Sequence, residues 1–258
     1  MGLFEYKGTV RYQVGRKTRD VEEFVHSKTG IEFVYIPAGS YLMGSDDMGP
    51  YEGYRTRWDT VIPTMPVHEV RVPAFLLAKY ECTQAQWECV MGVDPSYHRA
   101  GERLSAEEAD PTRPVEMISW DDVQNFYKRT GLRLPTEEEW EYACRAGSKG
   151  EYFFGNASEL GQYAWYSKSS EWVTHPVGQL MPNLFGLYDI YGNVWEMCSD
   201  SWRKNYSAKP DKNQLTVRGG SYSTGDFSCR SATRGGFPKK DVSGSIGFRP
   251  AADLSMID

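Results

Sequence analysis

The chain has 258 residues, 40% hydrophobic and 25% charged, the balance of a soluble globular protein long enough to bury a substantial core. Its net charge is −6 and its lysines and arginines are scattered rather than striped, so nucleic acid is not an expected partner. No apolar run is long enough to span a bilayer, and the five cysteines (Cys82, Cys89, Cys144, Cys198 and Cys229) contain no Cys-x-x-Cys pair, which argues against a zinc centre or a dense disulfide framework.

The first residues, MGLFEYKGTVRYQ, show no apolar signal-peptide stretch, so a reducing, cytoplasmic setting is expected. Residues 1–30 are polar and mixed and are expected as an extension or irregular arm, with one domain over 31–258. At Phe33–Ile36 a short β-rich run begins, closed by Pro37 and Gly39, and Tyr41–Met43 follows as a second. Residues 45–66, rich in Gly, Asp, Tyr and Pro, read as a long surface loop, and HEVRVPAFLLAKYECT then alternates as a strand does.

Three helices follow. Thr83 is placed to cap the first, with Trp87, Val90 and Met91 on one face. Ser119 begins the second, where Trp120, Val123, Phe126 and Tyr127 recur at helical spacing until Gly131. Thr136 and Glu139 form a capping box for the third, and Glu137 and Glu138 sit where the helix dipole favours negative charge. Trp140, Ala143 and Cys144 share a face before Gly147 stops the helix. The Glu-Glu-Glu run is therefore read as helix-start charge rather than a metal site. Beyond residue 148 no helix is expected; aromatic runs alternate with Gly, Asn, Ser and Pro, as in a loop-rich chain.

Six motifs then occur in order: FVYIPAGSYLMGS, PVHEVRV, LRLPTEEEWEYACRAG, THPVGQLMPNLFGLYDIYGNVWEM, VRGGSY and IGFRPA. Together, over about residues 31–253, they resemble the formylglycine-generating enzyme family, also called sulfatase-modifying factors. The resemblance implies an α+β, variant C-type lectin-like fold with few helices and short twisted strands. It also implies a founding activity, oxidation of a sulfatase cysteine to formylglycine with O2 and copper held by a cysteine pair. The family includes non-oxidase relatives, so fold alone leaves function open.

Calcium takes hard oxygen ligands on a flexible loop. Asp189 and Glu196 supply carboxylates, Gly192 and Val194 supply carbonyls between them, and these positions are similar to a calcium site of the family, where asparagine stands in place of Asp189. A structural alternative has Asp189 capping a turn and Glu196 pairing with an arginine. Copper(I) needs thiolates. Counted from Gly219 without a gap, the family's two cysteine positions fall on Thr224 and Cys229; with a gap before Cys229 neither cysteine is matched, so on either count the pair is broken and copper is not expected.

Other positions of that site match residue by residue. Ser221 occupies the serine beside oxygen, Trp195 the neighbouring tryptophan and Arg234 the arginine that follows the cysteines. Ser245 replaces an asparagine, which puts the sulfatase-type peptide groove in doubt, and Arg249 reads as a buried, paired arginine. Cys229 beside Arg230 is the candidate nucleophile, with Ser221 as the second catalytic candidate. None of His26, His68, His98 or His175 carries a sign of pairing with Cys229, and a lone cysteine commonly packs in a core.

The reading that follows is a binding or accessory protein that presents residues 222–245 to a protein, peptide or small ligand. Tyr222, Ser223, Thr224, Asp226, Phe227, Phe237, Lys239 and Lys240 would form the surface, with Trp195, Arg230, Arg234 and Ser245 as further contact residues. One alternative is an oxidative enzyme acting on a thiol substrate with an altered metal site. Another is a variable binding protein whose C-terminal segment is diversified by a retroelement.

Overall fold

The computed structural model describes residues 2–46, 55–56, 59–60 and 64–257; most of the expected loop over 45–66 lies outside the described residues. The first thirty residues are not an irregular arm. Strands Phe4–Val14 and Lys17–His26 form an antiparallel hairpin, and the second strand pairs with Glu32–Ile36. The sheet continues through Phe75–Ala78 to Ala251–Ala252, so segments from both ends of the chain share it. The hairpin looks polar in sequence because most of its first strand faces solvent; Phe4 and Tyr12 alone of that strand are buried.

A second sheet joins Arg234–Pro238, Asp211–Arg218, Trp195–Trp202 and Ile246–Gly247. The stretch read as one strand over 68–83 divides into His68–Val72, paired with Gly39–Met43, and Phe75–Ala78. Pro73 separates them, consistent with its missing ladder donor.

The helices form where their caps dictate. Helix α1 (Gln84–Met91) starts at Thr83 and ends at left-handed Gly92, and α2 (Trp120–Thr130) runs from Ser119 to Gly131. Helix α3 (Glu137–Arg145) has the expected Thr136–Glu139 box, but Ala146 takes the left-handed cap one residue before Gly147. Its acids do more than offset the helix dipole. Glu137 and Glu141 are buried against arginines, and Glu139 pairs with Arg133 at 2.7 Å.

Two apolar clusters hold these layers together. One stacks Trp87 on Phe126, ring centroids 5.4 Å apart, beneath Phe248. The other surrounds Trp140, Tyr191 and Cys144, where Arg218 lies 5.0 Å from the Trp140 ring and donates to Glu141. After residue 148 the described helical turns are of the 3-10 type, as a loop-rich chain requires. No described helix is long and apolar enough to cross a membrane.

Candidate functional site

The segment after strand Asp211–Arg218 turns on Gly219 and Gly220, at φ 94° and 80°. A Cβ on Gly220 would stand 2.8 Å from the Cys229 sulfur, so the missing side chain lets that thiol pack under the turn. Cys229 is fully buried, and burial pushes its thiol up to about 12. Thr224 folds back on Ser221: its hydroxyl accepts from the Ser221 amide at 2.8 Å and donates to the Ser221 carbonyl at 3.1 Å. The stretch over the two family cysteine positions is thus a hydroxyl-closed turn above a protonated thiol. The described cysteines are all free and, apart from Cys89, buried.

The other expected site residues fall into separate surroundings. Ser221 is buried, with its hydroxyl 3.2 Å from that of Ser223. Trp195 belongs to the core, and its amide donates to the Ser245 carbonyl at 2.8 Å. Arg234 is not available as a ligand contact. It donates to both oxygens of Glu137 at 2.5 and 2.6 Å and lies over Trp202 and Tyr206. Arg230 pairs with Glu151 and lies 3.9 Å from the centre of the Phe227 ring. Asp226 takes the Phe227 amide at 2.9 Å and faces Lys168. Phe237 is buried, while Lys239 stands 5.0 Å from the Trp120 ring. The expected surface is therefore discontinuous: 222–228 and 238–245 reach solvent, and 229–237 is interior.

A buried pair lies beneath the exposed part. The His98 amide donates to Glu116 Oε1 at 2.7 Å, and His98 Nδ1 is 3.2 Å from the same oxygen. The Tyr222 ring meets His98 edge to face at 4.8 Å, and burial followed by the charge of Glu116 pushes its phenol up to about 12. Glu116 Oε2 is buried with no hydrogen-bond partner among the described residues. A Cβ on Gly244 would come within 3.5 Å of that oxygen, which brings 243–245 against the pair. Neither His98 nor Glu116 stood out in sequence. The available signal was a carboxylate between Val115 and Ile118, a charge inside an apolar run.

Of the proposed calcium residues, Glu196 is bonded to Arg249. Glu196 Oε1 accepts from Arg249 Nε at 3.0 Å and Nη2 at 2.7 Å. Its Oε2 accepts from Arg249 Nε at 3.1 Å and from the Trp140 indole at 2.7 Å. Three donors thus hold the carboxylate, with the Arg249 Nε–H shared between its two oxygens. Asp189 Oδ2 accepts from the Gly178 amide at 2.7 Å, its Oδ1 has no hydrogen-bond partner among the described residues, and burial pushes the carboxyl up to about 6. Gly192 and Val194 flank Asn193, and the Val194 amide donates to Glu81 at 3.1 Å. Glu81 is itself raised by burial and by the charges of Asp189 and Glu196. Arg249 supplies the positive charge beside Glu196. The arrangement is the arginine-paired alternative.

Comparison with known proteins follows the same lines. Residues 18–254 match the sulfatase-modifying factor enzyme 1-like domain. Over 55% of the chain, the sequence is 35% identical to the formylglycine-generating enzyme of Bos taurus, and the match spans only 45% of that protein. It is 31% identical to the inactive C-alpha-formylglycine-generating enzyme 2 of Mus musculus, covering 85% of each. Among solved structures, Treponema denticola variable protein 1 superposes with a TM-score of 0.73 at 24% identity, over 96% of this chain and 99% of that one.

Proposed function

The chain belongs to the sulfatase-modifying factor family, whose domain covers residues 18–254, and from that premise we propose that it is a member without the founding copper oxidation. In this reading it binds a protein, peptide or small ligand through the exposed parts of 222–245. The state of Cys229 carries the proposal. A copper(I) oxidase site needs two accessible thiolates, and here one position is Thr224 and the other is a buried thiol raised to about 12.

The chemistry of the exposed part supports binding. Tyr222 lies on His98, Tyr97 beside it is 46% exposed, and the serines at 243 and 245 border Glu116. Tyrosines with serines and glycines give large rigid contact area beside adaptable hydrogen bonds. The relatives include one named as the enzyme and one named as inactive, so similarity alone favours neither chemistry.

The test is copper(I) titration at stoichiometric protein, together with O2 consumption on a cysteine-containing peptide, for the wild type and Cys229→Ser. The expected result is neither tight copper nor turnover in either protein. Tight copper and turnover in the wild type, both lost in Cys229→Ser, would overturn the proposal and establish an oxidase with a substituted ligand.

A further inference from the structure

A cavity of about 390 Å³ opens between the turn of the N-terminal hairpin, the end of α3 with the residues that follow it, and Leu184. None of Tyr222, Asp226, Phe227 and Ser245 lines it, so it is separate from the face proposed above. The hairpin wall, residues 14–17, precedes the stretch 18–254 that matches the family domain. Both walls are set before a ligand arrives. Val14 pairs with Lys17 across a two-residue turn in which Gly15 is left-handed, at φ 58°. The Arg19 guanidinium lies 4.5 Å from the centre of the Phe185 ring, which pins the hairpin beside Leu184. On the opposite wall Phe154 stacks on Tyr163 at 4.2 Å and Phe153 on Tyr191 at 5.3 Å.

The lining carries Arg16, Lys17 and Arg145 and no carboxylate. Arg145 is occupied by Glu141 and by the Gly44 and Gly150 carbonyls. Arg16 and Lys17 are exposed and form no ion pair among the described residues, while Asp20 on the same strand is paired with Arg11 at 2.6 Å. With Arg19 they put three cations into four residues of a chain whose net charge is −6. The floor beside them is apolar, because Phe153, Phe154 and Leu184 are only half-buried there. A Cβ added to Gly15 or to Gly155 would meet nothing within 4 Å, so the approach over both walls is open.

We infer that this cavity is a docking site for an acidic peptide segment of a partner protein, with an apolar side chain of the segment on Phe153, Phe154 and Leu184 and its carboxylates at Arg16 and Lys17. Charge complementarity selects the occupant. One exposed ion pair gains about 0–1 kcal/mol, so a lone carboxylate would be weakly held. Several carboxylates flanking an apolar residue engage both free cations and the floor at once. A nucleic acid would bring a long polyanion to a molecule of net charge −6 with two free cations here to meet it. The inference does not depend on the fate of copper chemistry, because no cysteine lines the cavity.

The test is calorimetric titration of the full chain with the capped peptide Asp-Glu-Phe-Asp-Glu and with its uncharged counterpart Asn-Gln-Phe-Asn-Gln. The acidic peptide is expected to bind saturably and the uncharged one about tenfold more weakly. Raising NaCl from about 0.05 M to about 0.5 M should narrow that gap, because both cations are exposed to screening. The double variant Arg16→Glu, Lys17→Glu, two exposed changes expected to leave the melting temperature unaltered, should weaken the acidic peptide about tenfold. Leu184→Ser should weaken it as well, which a purely electrostatic surface would not show. Equal affinity for the two peptides, no saturable binding of the acidic one, or wild-type affinity in the double variant would each overturn the inference. Tighter binding of a thymidine oligonucleotide than of the acidic peptide, lost in the same double variant, would overturn it in favour of a nucleic-acid site.

Discussion

Asp189 and Glu196 stand seven residues apart in one motif, and their different surroundings give them different roles. Glu196 is held by Arg249, which also donates to the carbonyls of Ala78, Lys79 and Tyr188 and so ties three segments to one carboxylate. Asp189 has a single amide donor and lies near Glu81. Its carboxyl is raised from 3.8 to about 6, first by burial. A folded-state value above the unfolded one means that the protonated acid favours folding. That contribution is complete below about 3.8 and disappears as pH rises through about 6. Asp189→Asn keeps an acceptor for the Gly178 amide without the charge. The variant should gain about 2 kcal/mol on the wild type between pH 4 and pH 7.5, read from urea unfolding at both values. Adding calcium should leave both melting temperatures unchanged. A pH-independent difference, or a calcium-induced rise in the wild type, would contradict this account.

Helix α3 shows two kinds of stabilisation on one short element. Its start is local: Thr136 accepts from the Glu139 amide, and Glu139 returns a bond to the Thr136 amide at 2.8 Å. These partners are three residues apart, so the helix start was legible in LPTEEEWEY, as were the starts of α1 and α2. Glu137 acts at long range, through Arg234 on the second sheet. Thr136→Ala should cost about 1 kcal/mol. Glu137→Ala should cost about 3–5 kcal/mol, because it leaves a buried guanidinium unpaired. Denaturant midpoints rank the two variants, and equal losses would show that Arg234 finds another partner or water. Sequence separation explains why the ion pair was not legible: the partners stand 97 positions apart, and nothing local marks Arg234 as the partner of Glu137.

Over the whole molecule, the five-stranded sheet decides which residues belong to the domain. The N-terminal hairpin covers one edge of Glu32–Ile36, and Glu23 supplies the carboxylate for buried Lys79 at 2.9 Å. Deleting residues 1–30 would bare that edge and leave the ammonium without this partner. The truncated protein should lose its cooperative thermal transition by circular dichroism and associate in size-exclusion chromatography, as an exposed strand edge invites. A monomeric truncation that melts like the full chain would show the hairpin to be dispensable. The hairpin was misread as an arm because half-exposed strands carry few apolar residues, and their pairing with 32–36 is a tertiary fact.

By itself the sequence determined the three helices and their caps, the loop-rich second half, the family and the absence of a cysteine pair around Thr224 and Cys229. Each depends on residue identity or on spacing within one short segment. Tertiary structure alone decided that Arg234 and Arg230 are occupied by Glu137 and Glu151, that Arg249 and the Trp140 indole hold Glu196, and that His98 and Glu116 underlie Tyr222. It also brought the hairpin turn at 15–17 to a cavity shared with residues around 150 and 184. The physical reason is the same throughout. A buried charge is defined by the partner that compensates it, and in this fold those partners arrive from distant parts of the chain.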